Sequence, residues 1–580
     1  MADVESQNGI EQIHKLLDEL VVTFDQYKHV LRANTVDFFT HNRIELLHKV
    51  NPALVNELRK LTQEDLVKVA CGKFDYSEKG SYSSLTEISK LSQQASISCE
   101  SLGRGLCFKN SASYIQACSE HSESNDTVIV KPKEFMNLKK SHEVEEMSHL
   151  CSWLCRSLCL DQVIDIGSGK GYLSQYLTLQ YGLQVIGIDS SDTNTHGAKE
   201  RSRKLTRHWK AFLRRAAEEK KKDGTVSTTK QGKLIDKQML PDSCDNLPSH
   251  DPAKVTIEER CKTSVLSSDR NRIELQQESL GISSTDHTDL QTHMAEGYSK
   301  NSDKYADVKG HTSSFQPVTA FVSSATDLTH LAGTIADGDM EGNLQQSDPF
   351  LLVGLHTCGD LAATITKLFI DCPSAKAMCY VPCCYHFVSE EFEPRESRFW
   401  IEPPQPDQWG FPMSCYLKSK MVNIGRDAKM LACLAPERMD ANGELPVRSL
   451  YFRALLQVLL KEHYRIPTRE EVVGKLANKC KDFVEYTRRA LTKLGFDPNK
   501  LSDEEINQYN LDYSEKIDLL KVFTVARLAF SRMVESLLHI DKVCFLLEQP
   551  LVRSAVIVKL FDAVQSPRCY AIVAIKDSPR

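Results

Sequence analysis

Residues 163–174, VIDIGSGKGYLS, leave few folds open. A short apolar strand runs directly into Asp-x-Gly-x-Gly-x-Gly, a helical stretch follows, and a second apolar strand, VIGIDSS at 185–191, carries Asp189 at its end. Strand, glycine turn, helix and second strand make a βαβ unit that takes an adenosine-bearing cofactor. Gly167, Gly169 and Gly171 let the turn adopt positive φ and lie against a ligand with no Cβ between them. The dinucleotide fingerprint requires glycine where this chain has Tyr172, and the phosphate loop of ATPases requires Lys then Ser or Thr, whereas Gly171 follows Lys170. Asp165, a carboxylate in the loop itself, repels a pyrophosphate but pairs with an ammonium. Asp189 is placed to accept from both ribose hydroxyls. Together these residues predict an S-adenosylmethionine site.

Around this unit the 580 residues divide by composition. Residues 10–32, 41–48 and 52–71 carry apolar side chains at three- and four-residue spacing, so 1–130 reads as a helical accessory region that turns Ser-rich between 76 and 127. The first part of the catalytic domain spans 131–222. Its leading helix starts with Lys139, Lys140, His142 and Glu143, which are either a solvated helix end or contacts for the cofactor's carboxylate or the substrate. Cys151, Cys155 and Cys159, four apart beside an apolar face, read as small core side chains. After Asp189 a basic helix occupies 199–222, with Arg201, Arg203, Lys204, Arg207, Lys210, Arg214 and Arg215 against few acids. It is either a solvated helix or a contact for RNA.

Residues 223–314 contain no Phe or Trp and only Tyr298 and Tyr305 as aromatics, which predicts a disordered insert, a tether rather than a lid. The second part of the catalytic domain, 315–387, holds a third strand at 318–322, followed by Thr326 and Asp327 for the adenine. A fourth strand ends in a turn at His356 to Gly359, and a fifth ends in PCCYH, 382–386. Helices at 388–540 read as a cap inserted on the ligand side, and two apolar strands in 541–580 close the sheet. The expected fold class is therefore α/β, a Rossmann-like class I methyltransferase sheet closed by an antiparallel C-terminal hairpin, with a helical N-terminal region and a helical insertion.

Methyl transfer from a sulfonium needs an in-line nucleophile and, where required, a base. The ends of strands four and five border the crevice of such a sheet, so His356 and His386 are the candidate catalytic bases. A metal site from His356, Cys358, Cys383, Cys384 and His386 is a second possibility, and thiol chemistry between Cys383 and Cys384 a third. Adjacent cysteines do not easily both point at one ion, so no metal is assigned. His-Thr-Cys-Gly stands where enzymes methylating adenine amino groups carry Asn/Asp-Pro-Pro-aromatic, which argues against adenine N6.

A net charge of −6 supplies no global basic field, so any grip on RNA is local, and no feature points to DNA. Nineteen cysteines without a CxxC pair, a polar acidic start and no apolar run of spanning length predict a cytoplasmic or nuclear chain that does not enter a membrane.

Read together, DIGSGKGYLS, GIDSS, GLHTCGDL, VPCCYH and SPRCYAIVAIK resemble a methyltransferase-like family, one of whose members is named for a ribosomal RNA adenine dimethylase domain. A more distant similarity joins HTCGDL and PCCYH to the tRNA 2′-O-methyltransferases, with Tyr385 in the place of that family's first histidine. The resemblance implies a methyltransferase with an unassigned substrate. The alternative is a binding protein that keeps the cofactor fold as a scaffold.

Overall fold

The computed structural model describes residues 2–75, 83–86, 107–108, 111–118, 128–226, 314–331, 348–393, 408–466, 473–474 and 476–577. The predicted insert, beyond 226 and before 314, lies outside the described residues, as does most of the Ser-rich stretch. The first helix is α1 (Ala2–Leu31); around the central sheet lie α2 (Leu138–Ser157), α3 (Tyr172–Tyr181), α4 (Asp192–Val226) and α5 (Leu361–Asp371). Among the later helices are α6 (Arg426–Ala432), α7 (Ile517–Ala529) and α8 (Ser531–Leu547).

Among the described residues the sheet has eight strands: β1 (Cys107–Phe108), β2 (Gln162–Ile166), β3 (Gln184–Asp189), β4 (Phe315–Thr319), β5 (Phe350–Cys358), β6 (Ala375–Cys383), β7 (Val552–Lys559) and β8 (Tyr570–Lys576). Their order is β1-β7-β8-β6-β5-β2-β3-β4. Strands β2 to β6 are mutually parallel, and β8 runs antiparallel to both β6 and β7. The inner strands are near-continuous runs of Val, Ile, Leu and Ala because helices cover both faces. Parallel pairing brings the carboxyl ends of β2, β3, β5 and β6 to one edge.

Two strands depart from expectation. The third strand is Phe315–Thr319, not 318–322. Pro317 is accommodated because β4 is an edge strand, where a missing N–H costs no ladder bond on the open side. The fourth strand does not turn at His356; it continues to Cys358 through a bulge between Gly354 and Thr357. A Cβ on Gly354 would lie 2.6 Å from Thr357 Cγ2, so the bulge requires glycine there. A bulge re-aims the side chain it carries, here His356.

The N-terminal helices and those after β6 form one packed body rather than an accessory region and a separate cap. Helix α1 lies along α8, and Pro52–Arg59 and Gln63–Ala70 pack on α7. Arg527 of α7 donates to the Leu31 carbonyl (3.1 Å), Arg32 to the Ile424 carbonyl (2.9 Å), and the Phe38 and Phe523 rings meet at 5.3 Å. The boundary expected at 540 falls inside α8, which packs against β7. No described helix is long and apolar enough to cross a membrane.

Candidate functional site

The glycine turn is set by its neighbours. Gly167, Gly169 and Gly171 have φ of 71°, 58° and 66°. Gly167 and Ser168 both donate to the Ile188 carbonyl (2.8 and 3.0 Å), which ties the turn to β3. A Cβ on Gly171 would strike the Phe315 ring at 2.6 Å, whereas one on Gly169 would meet nothing within 4 Å. The turn is therefore packed on one side and open at Gly169.

Asp165 lies under this turn, 1 % exposed. Its Oδ2 accepts from Ser174 Oγ at 2.6 Å, while Oδ1 is buried with no partner among the described residues, as is Ser168 Oγ. Burial pushes the Asp165 carboxyl up to about 7, with Ser174 holding it back and the Asp189 charge adding to the rise. A half-satisfied buried carboxylate beside an open loop fits a cationic ligand group. Asp189 is more occupied: Oδ2 accepts from the Gly169 N–H (2.9 Å), and Oδ1 from the Ser191 N–H (2.9 Å) and Asn194 Nδ2 (3.0 Å). A carboxylate has about four lone-pair sites, so one ribose hydroxyl fits the remaining site and a second displaces a bond already made.

At the start of α2, Glu143 is wholly buried although its charge reads as a solvated helix end. Its Oε2 lies 2.8 Å from Lys140 Nζ and 3.2 Å from His356 Nε2, and its Oε1 accepts from Ser566 Oγ at 2.7 Å, with Lys139 Nζ at 3.5 Å. Burial pushes its carboxyl up, but His356 and Lys140 outweigh burial and hold it well below the usual carboxylate range. Lys140 Nζ also lies 3.1 Å from His356 Nε2. His142 points elsewhere, its Nε2 accepting from the Asp562 N–H at 2.9 Å. Ser566 is a polar residue that motif reasoning passed over, while Glu143 is read only together with the lysines and His142 at the helix start. Glu143 shares a helical face with Met147, Leu150 and Leu154, which was a signal; Ser566, from the distant β7–β8 loop, gave none.

The two predicted histidines do not converge. His356 Nε2 faces Glu143 and Lys140, whereas His386 Nδ1 lies 3.4 Å from Cys433 Sγ, next to α6. Burial lowers the His386 pKa, with Cys384 opposing and Arg426 and Lys429 assisting. Between them Tyr385 is fixed in the core, donating to Glu535 at 2.9 Å and lying 3.1 Å from His539 Nε2. The objection to adjacent cysteines meeting one point does not hold here: Cys384 takes a left-handed conformation, φ 52°, and Cys358, Cys383 and Cys384 bring their sulfurs together. Cys151 and Cys155 of α2 are core residues, whereas Cys159, read as a third, lies past the helix end at φ 53° and is exposed.

Thr326 and Asp327 follow β4. Thr326 Oγ1 accepts from the Ser323 N–H (2.9 Å), and exposed Asp327 accepts from its own turn, Thr329 N–H (2.9 Å), Thr329 Oγ1 (2.6 Å) and His330 N–H (3.0 Å). In α4 Leu205 and Trp209 pack inward, while Arg203, Lys204, Arg207, Lys210, Arg214 and Arg215 are exposed. Arg201 instead stacks over Tyr172, 4.0 Å from its ring centre, and donates to its hydroxyl at 2.8 Å.

A family model described as a methyltransferase domain matches residues 139–391, which span the glycine turn, both histidines and the clustered cysteines. No solved structure matches the chain. The chain is 35% identical to a mouse (Mus musculus) protein named probable methyltransferase-like protein 25, over 94% of this chain and 93% of that one. To the human (Homo sapiens) protein of the same name it is 37% identical, over 77% of this chain and 76% of that one. At that identity over nearly its whole length, the chain belongs to the methyltransferase-like protein 25 family and carries its methyltransferase domain.

Proposed function

We propose that the protein is an S-adenosylmethionine-dependent methyltransferase whose cofactor lies across the glycine turn at the carboxyl ends of β2 and β3. The observation that carries this is the buried, unpartnered Oδ1 of Asp165 beside the open space at Gly169. An ammonium group satisfies that oxygen and a phosphate does not. Asp189 takes the ribose, and Lys139, half-exposed at the start of α2 and the more distant of the two lysines on Glu143, is the one to meet a carboxylate. The antiparallel β7–β8 pair then corresponds to the hairpin that closes a class I methyltransferase sheet.

When bound, S-adenosylmethionine supplies a methyl group on a sulfonium. The chain's own part is to position the nucleophile and take its proton. Donating Nε2–H to Glu143 holds the His356 ring and leaves Nδ1 to take the substrate's proton, with Lys140 donating to the same carboxylate rather than to Nε2. We assign the proton-accepting role to His356 in preference to His386, whose ring is turned to α6. The exposed basic face of α4 is a contact for an acidic polymer, and RNA is the substrate class we favour. The occupied state of Asp189 is the observation on the side of a scaffold that never loads cofactor.

Calorimetric titration with S-adenosylmethionine, S-adenosylhomocysteine and NAD tests the cofactor. The expected result is micromolar binding of the first two and none of NAD, with binding lost in Asp189→Ala. No binding of any of them would sink the enzyme assignment and leave the scaffold.

A further inference from the structure

Cys358 and Cys383 are register partners on adjacent parallel strands, both at the carboxyl end of the sheet. Their sulfurs lie 3.0 Å apart. The next residue, Cys384, turns left-handed at φ 52°, a conformation a residue with a Cβ rarely adopts, and this swings its sulfur back to the same point. The three Sγ atoms all lie within 4.8 Å of one another. Cys383 is buried, Cys384 half-buried and Cys358 exposed, so the cluster opens to solvent on one side only. A dithiol redox pair needs two sulfurs; the third requires another explanation.

We propose that Cys358, Cys383 and Cys384 bind one zinc ion through three thiolates, with the fourth coordination position open. Three sulfurs at about 2.3 Å from a tetrahedral ion stand roughly 3.8 Å from one another, so the Cys358–Cys383 pair has to part, by a small change of side-chain torsion. Among the described residues no histidine nitrogen or carboxylate joins the three sulfurs within 4.8 Å. His356 Nε2 faces Glu143 and Lys140, and His386 Nδ1 faces Cys433. Three protein ligands and a vacant fourth position are the pattern of a zinc that takes water or a substrate atom, not of a closed structural site.

Binding converts three thiols to thiolates: three S–H bonds break, three Zn–S bonds form and three protons leave to solvent. Protons and metal compete for the same sulfurs, so affinity falls on acidification. The site stands whether or not the glycine turn binds S-adenosylmethionine.

The full-length protein, purified without chelator and desalted, is assayed for metals by plasma mass spectrometry, then stripped and titrated with Co(II). About one zinc per chain and a thiolate-to-cobalt charge-transfer band are expected. Cys384→Ala should lose metal at least tenfold, while Cys415→Ala, an exposed cysteine outside the cluster, should keep it. Cys358→His, which replaces one ligand by another, should retain cobalt with a shifted spectrum, and circular dichroism separates ligand loss from misfolding. Copper in place of zinc, no uptake of either ion, metal content indifferent to Cys384, or a Cys358–Cys383 disulfide in non-reducing peptide maps of metal-free protein would each overturn the proposal.

Discussion

Two buried carboxylates stand at the same edge of the sheet and have opposite fates. Glu143 has a cation, an imidazole and a hydroxyl on its two oxygens and is held ionised below the usual range. Asp165 has one hydroxyl on one oxygen, no partner on the other among the described residues, and is pushed up to about 7. Burial is nearly the same in both. What differs is whether the fold has already supplied the counter-charge, and only the carboxylate left short points to a ligand.

Asp165→Asn gives the largest separation of the two. A charge-assisted hydrogen bond is worth about 1.5–3 kcal/mol, so S-adenosylmethionine affinity should fall on the order of 10- to 100-fold in calorimetry. The free variant should nonetheless melt at a higher temperature than the wild type at pH 8, because it no longer buries a half-paired charge. An unchanged affinity would break the comparison and make Asp165 a structural residue.

The pH dependence follows from the same carboxyl. Its folded pKa, about 7, exceeds the ordinary 3.8, so the folded state binds the extra proton between those values. Its contribution to the stability of the free protein is therefore greatest below about 4, falls as pH rises to about 7, and is flat beyond. Cofactor binding runs the other way, since the ammonium needs the ionised form: affinity should drop about tenfold per unit of pH below 7. Titrations between pH 5.5 and 8 check this, and Asp165→Asn should flatten the profile.

Glu143→Gln should act on stability instead. Loss of the carboxylate removes the charged partner of Lys140 and His356, and because both are partly exposed the cost is about 2 kcal/mol, not the full penalty of a buried unpaired charge. Thermal unfolding should show a lower midpoint, with cofactor affinity within a few-fold of wild type. If affinity fell as far as in Asp165→Asn, Glu143 would have to be counted with the cofactor site.

What could be read from the sequence tracks how local its cause is. The strands β2, β3, β5 and β6 are apolar on both faces and announce themselves, and the glycine turn is set by residues within a few positions of one another. The start of β4 at Phe315, ahead of Pro317, depends on its edge position, which is a property of the sheet. The bulge that aims His356 depends on the pairing of Gly354 and Thr357 with β6. Glu143 is buried because a loop more than four hundred residues away brings Ser566 to it, and Cys384 meets Cys358 only through one backbone angle. Charge type and spacing carry none of these.

The smallest effect is expected at Asp327, the residue predicted to receive the adenine. An adenine amino group is a good donor, but the carboxylate it would meet is exposed and accepts three bonds from Thr329 and His330 through one oxygen. Those bonds hold its carboxyl below the ordinary range and fix its direction along its own turn. Its other oxygen can still accept, yet a hydrogen bond to a neutral donor in full contact with water adds little to affinity. Asp327→Ala should therefore weaken S-adenosylmethionine binding by less than tenfold, well short of Asp165→Asn. A loss equal to that of Asp165→Asn would mean that the loop after β4 closes over the adenine and takes Asp327 out of solvent, and that exposure in the free protein is a poor guide to the bound one.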